Sequence, residues 1–193
     1  GISINEIPLA AFALADDLMS DTEQVLQRLR GYHIEPMIMS GDKQSVVDYV
    51  AHQLQVNQAL GELSPRDKAE QVSALQAAGK KVVMVGDGVN DAPALALSDV
   101  GIALGASGST VASESADVVV LRNDLNLVPE SIKISRETMK VAKEAVLIGI
   151  FICIALMLIA STGILPAIIG ALLQEVIDTV SILYALKALK DRK

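Results

Sequence analysis

An uncharged stretch near the end of the chain limits its possible folds more than any other feature. The residues from Ala145 to Leu173 include no Asp, Glu, Lys or Arg. This is longer than the roughly 20 apolar residues that one helix needs to cross a bilayer. Gly163 and Pro166 interrupt the stretch and favour a turn. We therefore predict a hairpin of two transmembrane helices, at about 145–161 and 167–189, rather than one long buried helix.

Basic residues flank this hairpin on both sides. Those before it are Lys133, Arg136, Lys140 and Lys143, and those after it are Lys187, Lys190, Arg192 and Lys193. Because basic residues mark the cytoplasmic ends of membrane segments, both ends of the hairpin are predicted to be cytoplasmic. Residues 124–144 are predicted to form a cytoplasmic stalk helix that leads into the first span.

Two carboxylates interrupt the second predicted span. Glu175 and Asp178 are three residues apart and Thr179 is four from Glu175, so the three share one face of a helix. Ionisable residues at membrane depth are costly and usually line an ion pathway. Glu175 and Asp178 are therefore candidate ligands for a transported cation; the alternative is that they are solvated near the membrane surface.

Residues 1–123 alternate between short apolar runs and amphipathic segments. This alternation predicts an α/β fold with a parallel sheet and flanking helices. The predicted strands are Ala11–Ala15, Ile34–Met39, Val82–Val85, Val100–Leu104 and Val118–Leu121. The predicted helices are Thr22–Arg30, Gln44–Leu54, one that begins after Ser64, Pro93–Leu97 and Ser109–Ala116. Within the second helix, Val46, Val47, Val50 and Leu54 are predicted to face the core.

A pair of acids follows the strand at Val82–Val85. Asp87 lies between Gly86 and Gly88, and Asp91 comes four residues later. Parallel sheets bind ligands at the carboxyl ends of their strands, and glycines allow the backbone to bring both acids to one point. Carboxylates beside a tight turn suit Mg²⁺. Ser40, Gly41 and Asp42 repeat this pattern after the preceding strand.

Lys68 is a candidate for binding an anion. Ser64 and Pro65 are favourable residues for the start of a helix, which places Lys68 in its first turn. A cation there opposes the helix dipole, so the sequence offers no local reason for it. The alternative is a solvated lysine beside Asp67 and Glu70.

Composition excludes some classes of function. The chain has 193 residues and a formal net charge of −7, which argues against a nucleic-acid partner. Cys153 is its one cysteine, so no disulfide framework or cysteine metal cluster is expected.

The motifs together resemble the carboxyl-terminal part of P-type cation-transporting ATPases of the heavy-metal class. The resemblance covers nearly the whole chain and is most specific over Leu63–Glu114, which contains Gly-Asp-Gly-Val-Asn-Asp-Ala-Pro and Ser-Pro-Arg-Asp-Lys. It implies a partial phosphorylation domain of haloacid-dehalogenase type that uses ATP and Mg²⁺. By this resemblance, Lys68 contacts the transferred phosphoryl group, Asp87 binds Mg²⁺, and Asn90 and Asp91 support the site. Asp91 is also a candidate magnesium ligand. Ser40-Gly41-Asp42 replaces the family's Thr-Gly-Asp, and Ser keeps the hydroxyl group.

Two departures from the family pattern affect what the chain can do. The family's Arg-Pro pair is replaced by Met19-Ser20, which puts a nucleotide or domain-closure contact in doubt. The family's Asp-Lys-Thr-Gly-Thr, whose aspartate accepts phosphate, does not occur in these residues. We therefore expect a missing amino-terminal portion of the same pump, an inactive isolated chain, and a soluble part destabilised by loss of the strand that carries the aspartate.

The leading hypothesis is a fragment of an ATP-driven pump that exports a divalent heavy metal across a prokaryotic plasma membrane. Copper-transporting relatives usually have Met and Ser where this chain has Gln174, Glu175 and Asp178. Oxygen ligands suit harder ions than Cu(I), which favours zinc, cadmium or cobalt. The alternatives are a membrane-anchored remnant without catalysis and a soluble phosphatase of haloacid-dehalogenase type; the apolar hairpin argues against the second.

Overall fold

The computed structural model describes residues 2–4, 7–10, 21–86, 90–105, 114–163 and 166–186. The chain divides into two compact units, Gly1–Val128 and Pro129–Lys193. The predicted strand at Ala11–Ala15 and the Met19-Ser20 pair lie outside the described residues, as does most of the predicted helix at Ser109–Ala116.

The first unit contains short strands and helices that alternate along most of its length. The strands are β1 (Ile2–Ile4), β2 (Ile7–Ala10), β3 (Met37–Met39), β4 (Gln58–Leu60), β5 (Val83–Gly86), β6 (Val100–Leu104) and β7 (Val118–Val120). The helices are α1 (Thr22–Gly31), α2 (Gln44–Gln53), α3 (Pro65–Ala77) and α4 (Ala92–Leu97). Two longer helices follow, α5 (Leu127–Ser161) and α6 (Ala167–Ala185).

Parallel pairing dominates this unit, as predicted. Strand β3 pairs in parallel with β4, and β5, β6 and β7 form a parallel sheet in that order. Among the described strands, only β1 and β2 pair in antiparallel fashion. The fold class, parallel sheets with flanking helices followed by two long apolar helices, is therefore confirmed. Strand β4 was not predicted, because it is three residues long and has no apolar run of its own.

The predicted strand at Ile34–Met39 is too long at its start. The observed β3 begins at Met37. The backbone N–H of Ile34 donates instead to the carbonyl of Leu29 at the end of α1, at 3.1 Å. Pro36 has no N–H to give to a neighbouring strand. Residues 34–36 therefore complete the turn after α1 and are not part of β3.

The core of the first unit forms between the sheet and its helices. Val72 of α3 packs with Met84 of β5 and with Ala94 and Leu95 of α4, and Met39 of β3 packs against this cluster. Met39 and Met84 thus share one core although β3 and β5 belong to separate hydrogen-bonded sheets.

The prediction that Val46 of α2 faces the core is wrong. Val47, Ala51 and Leu54 are buried, but Val46 is 50% exposed. Spacings of four and three residues place the buried three on one helical face, and Val46 falls one residue to the side of that face. Two adjacent valines cannot both point into the core, and the sequence did not show which one does.

The second unit is an antiparallel pair of helices. The hydroxyl of Tyr184 donates to Oε2 of Glu144 at 3.0 Å. Farther along, the thiol of Cys153 donates to Oε1 of Gln174 at 3.4 Å. Gly163, with φ of +77°, lies in the connection between the helices. Both helices are long and apolar enough to cross a membrane, and the predicted stalk and first span form one continuous helix, α5.

Candidate active site

An ion pair joins α3 to the end of β5. Nζ of Lys68 lies 2.7 Å from Oδ1 of Asp91, and the two side chains are only 13% and 11% exposed. Strand β5 ends at Gly86, and Asp91 immediately precedes α4. The charged pair therefore lies at the carboxyl side of a parallel strand, where sheets of this class bind ligands.

The start of α3 explains how Lys68 reaches this position. Ser64 and Asp67 form a reciprocal capping box, in which each side chain accepts a hydrogen bond from the backbone N–H of the other residue. The hydrogen bonds from the Ser64 hydroxyl and backbone hold the pKa of Asp67 below its usual value. Pro65 then begins the helix, and Lys68 follows in the first turn.

The solvated alternative for Lys68 is wrong. Asp67 is bonded to Ser64, and Glu70 lies 2.8 Å from Arg66. Lys68 turns inward to a carboxylate 23 residues away in the chain. The local sequence gave no reason for a cation at this position. The buried carboxylate of Asp91, which pairs with Lys68, provides that reason.

Gly86 allows Asp91 to pack closely against the end of β5. A Cβ atom at Gly86 would lie 2.6 Å from Cβ of Asp91 and 2.7 Å from its Oδ2. Such distances are well inside van der Waals contact. The backbone carbonyl of Asp91 accepts a hydrogen bond from Leu95 N–H at 2.8 Å, which ties the residue to α4. Together these contacts fix the carboxylate that holds Lys68.

Ser40, Gly41 and Asp42 form a compact loop after β3. The hydroxyl of Ser40 donates to Oδ2 of Asp42 at 2.8 Å, and the N–H of Asp42 donates to Oγ of Ser40 at 3.2 Å. Leu63 N–H donates to the Ser40 carbonyl at 3.0 Å. Because Leu63 directly precedes the cap of α3, this bond holds the loop beside the start of the helix that carries Lys68.

Two residues that the sequence did not single out hold this loop. The side chain of Gln44 accepts from Gly61 N–H at 2.6 Å and donates to the Ala59 carbonyl at 3.1 Å. A Cβ at Gly61 would lie 2.8 Å from the Asp42 carbonyl oxygen. An isolated glycine three residues before a Ser-Pro pair was the available signal for this close approach.

The predicted site residues thus fall into two described groups. Lys68 is joined to Asp91, and Ser40 is joined to Asp42; no recorded contact among the described residues links one pair directly to the other. Asn90 is exposed beside Asp91. Asp87 lies outside the described residues.

The predicted carboxylates of the second unit, Glu175 and Asp178, both lie on α6. Nε2 of Gln174 donates to Oδ1 of Asp178 at 3.2 Å, and Gln174 also accepts from Cys153 of α5. The side-chain hydroxyl of Thr179 donates to the backbone carbonyl of Glu175 at 2.9 Å. The described residues therefore bring Asp178, Gln174 and Cys153 together, while Glu175 contributes a backbone contact. They contain no cluster of three His, Cys, Asp or Glu side chains placed to hold a metal ion.

The first unit matches a known protein family. The sequence profile of the haloacid dehalogenase-like hydrolases matches residues 2–99, about half of the chain. The chain belongs to that family. The matched segment includes both Lys68 and Asp91.

Longer relatives extend the match beyond the hydrolase domain. The chain is 43% identical over 171 residues to a probable cation-transporting ATPase of Haemophilus influenzae, a match that covers 88% of this chain and 24% of that protein. It is 38% identical over 182 residues to a copper-exporting P-type ATPase of Staphylococcus epidermidis, covering 94% of this chain and 22% of the relative. The predicted resemblance to heavy-metal P-type ATPases is therefore confirmed.

A solved structure agrees with these relatives. A zinc-transporting PIB-type ATPase in its E2.Pi state matches with a TM-score of 0.82 and 27% identity. The match covers 90% of this chain and 28% of the chain in the solved structure. The chain thus spans about a quarter of the length of these relatives.

Proposed function

We propose that this chain is part of an ATP-driven heavy-metal pump that works through an aspartyl-phosphate intermediate. The observation that carries the proposal is the buried Lys68–Asp91 ion pair at the end of β5, in a chain that also has two helices apolar enough to cross a membrane. Phosphoryl transfer depends mostly on positioning and on charge stabilisation. A lysine fixed by a buried carboxylate supplies both.

Lys68 is the cation that we assign to the transferred phosphoryl group. Its ammonium has three donors, and Oδ1 of Asp91 takes one of them. The remaining donors are available for phosphoryl oxygens, and Asp91 prevents the flexible lysine side chain from leaving the site. The hydroxyl of Ser40 is the second donor; to reach a phosphoryl oxygen it turns away from Asp42.

We assign Mg²⁺ to the carboxylates after β5, Asp87 and Asp91. The fit rests on Asp91, whose buried carboxylate lies beside the strand end and offers the hard oxygen atoms that Mg²⁺ prefers. Bound there, Mg²⁺ would neutralise charge that develops on the phosphoryl oxygens. Asn90 is assigned to support of the same loop.

The phosphate-accepting aspartate is assigned to another part of the whole protein. Strands β3 and β5 share a core through Met39 and Met84 but have no recorded hydrogen bond between them. This arrangement supports the proposal that a further strand, carrying the aspartate, pairs between them. ATP is then the phosphoryl donor of the whole pump.

The transported ion is proposed to be a divalent metal bound within the hairpin, with Glu175 and Asp178 as candidate ligands. The contacts of Asp178 with Gln174, and of Gln174 with Cys153, add an amide oxygen and a thiol to this region. A mixed set of oxygen and sulfur donors suits zinc or cadmium, and we keep cobalt as a third candidate. We propose the plasma membrane of a prokaryote as its location, with the first unit in the cytoplasm.

Metal-stimulated ATP hydrolysis by the whole pump tests this function. We expect hydrolysis to rise with zinc, cadmium or cobalt, and Asp178→Asn to lower that stimulation at least tenfold. Glu175→Gln tests the second carboxylate in the same assay. Gln27→Glu, on the exposed face of α1, is the control and should leave the response unchanged. Stimulation by Cu(I) alone would contradict the proposed ion, whereas no stimulation by any metal would contradict the pump.

A further inference from the structure

A groove on α5 carries a cluster of positive charge just outside the apolar part of that helix. It has a volume of about 390 Å³ and is lined by Arg136, Met139, Lys140, Lys143, Glu144 and Leu147. We propose that this groove binds the phosphate headgroup of an anionic phospholipid. The inference goes beyond metal pumping and rests only on the proposed insertion of the hairpin in a bilayer.

The charge of the groove is positive on balance and directed outward. Arg136, Lys140 and Lys143 follow one another at spacings of four and three residues, so they lie on one helical face. The acid in the lining, Glu144, accepts a hydrogen bond from Tyr184 of α6. Neither Lys140 nor Lys143 takes part in an ion pair recorded among the described residues. Two ammonium groups therefore remain available for an external anion.

The depth of these lysines matches the headgroup layer. A helix rises about 1.5 Å per residue, which places Lys143 about 3 Å and Lys140 about 7.5 Å outside Ala145, where the uncharged stretch begins. Each headgroup layer is about 5 to 7.5 Å thick. By the same measure Lys133 lies about 18 Å outside Ala145, beyond the layer. The two nearer lysines are the ones that a lipid phosphate can reach.

The same helical face becomes apolar on the other side of Lys143. Leu147, Ile150 and Ile154 continue the spacing of four, three and four residues, and all three are exposed. A phospholipid has this order of chemistry, with a phosphate followed by acyl chains. A soluble phosphate would use the lysines alone and would gain nothing from the apolar residues. The combination therefore favours a lipid over a free anion.

Lipid binding to the full chain in detergent micelles tests the proposal. Native mass spectrometry would measure retention of phosphatidylglycerol and of phosphatidylcholine over a range of lipid concentrations. The test variant is Lys140→Gln/Lys143→Gln, and the control, Lys80→Gln/Lys133→Gln, changes the net charge equally at exposed lysines away from the layer. Lys140→Arg/Lys143→Arg keeps both charges.

We expect the chain to retain phosphatidylglycerol in preference to phosphatidylcholine. The double Gln variant should weaken phosphatidylglycerol binding about 30-fold, which corresponds to about 1 kcal/mol for each juxtamembrane lysine. The control and the Arg variant should bind within about threefold of the unchanged chain, since both keep a cation at positions 140 and 143.

Three results would overturn the proposal. They are equal retention of both lipids, equal weakening by the test and control variants, and displacement of phosphatidylglycerol by equimolar glycerol 3-phosphate, which would indicate a site for free anions. Flotation with vesicles of phosphatidylcholine alone distinguishes these three results from a failure of the proposed membrane insertion. A chain that does not float lacks the inserted hairpin, whereas a chain that floats without lipid preference lacks only the headgroup site.

Discussion

Asp91 packs against the bare α-carbon of Gly86, and a Cβ atom there would lie 2.6 Å from Cβ of Asp91. Gly86 ends β5 and Asp91 immediately precedes α4, so this contact sets where the carboxylate points. The position of Lys68 depends in turn on that carboxylate. The absence of a side chain at Gly86 therefore determines the position of the Asp91 carboxylate, and through it the position of the Lys68 ammonium group.

Replacing Gly86 by alanine should therefore destabilise the first unit. Overpacking of this kind costs about 1 to 3 kcal/mol. Urea unfolding of the full chain in detergent, followed by circular dichroism, would measure the loss. Gly31→Ala is the control, because a Cβ at Gly31 meets no atom within 4 Å. Equal effects of the two substitutions would contradict a specific contact between Gly86 and Asp91.

The Lys68–Asp91 pair should be much more sensitive to loss of one partner than an exposed pair. Lys68→Met leaves the Asp91 carboxylate buried without its cation, which costs about 3 to 5 kcal/mol of unfolding free energy. Lys68→Met/Asp91→Leu should recover most of that loss, because no unpaired charge remains.

The Arg66–Glu70 pair provides the comparison within the same helix. Its side chains are 86% and 62% exposed, so Arg66→Met should cost only about 0.3 to 0.5 kcal/mol. A double-mutant cycle for each pair, measured by urea unfolding, gives the two coupling energies. A coupling for Lys68 and Asp91 no larger than that for Arg66 and Glu70 would show that burial adds nothing.

Asp99 should make the first unit sensitive to acid. The hydrogen bond from Lys81, together with those from Val82 N–H and Gln76, lowers the pKa of Asp99 to about 2. Its pKa is lower in the folded than in the unfolded chain, so the unfolded chain binds the proton more readily. The stabilisation is complete above the ordinary pKa of 3.8 and is lost as pH falls through about 2.

Unfolding measured between pH 5 and pH 2 would check this. Asp99→Asn should be less stable than the unchanged chain at pH 5, and the difference should shrink as pH falls. A constant difference over that range would contradict the assignment to the Asp99 carboxylate.

The isolated chain should not form a phosphoenzyme. Its sequence contains no Asp-Lys-Thr-Gly-Thr, so we expect no acid-stable label from γ-labelled ATP. The whole pump should be labelled, and Lys68→Ala should reduce its labelling at least tenfold, whereas the exposed Lys80→Ala should not. Label on the isolated chain would show that one of its own residues accepts phosphate. A whole protein that is never labelled would instead support the catalytically inactive remnant.

Local signals predicted much of this fold. The capping residues Ser64 and Pro65 marked the start of α3, because a helix cap depends on residues adjacent in sequence. The strands β5 and β6 were predicted to within one residue for a similar reason, since each is a short, largely apolar run bounded by polar residues or glycine. The long uncharged stretch likewise identified both apolar helices.

Interactions between distant parts of the chain were harder to predict. Lys68 was recognised as unusual, but its partner lies 23 residues away and depends on how α3 packs on β5. Strand β4 exists because β3 provides hydrogen bonds to it, which no local pattern records. Gln44 acts through Gly61 and Ala59, which are close to it only after β4 has paired.

The continuity of α5 has a mechanical consequence. At about 1.5 Å per residue its 35 residues form a rod of about 52 Å, and its proline, Pro129, lies in the first turn, where no backbone hydrogen bond is lost. An uninterrupted helix resists bending, so a rotation or an axial shift imposed at one end of α5 is carried to the other end with little loss. The helix is therefore built as a lever rather than as a flexible tether.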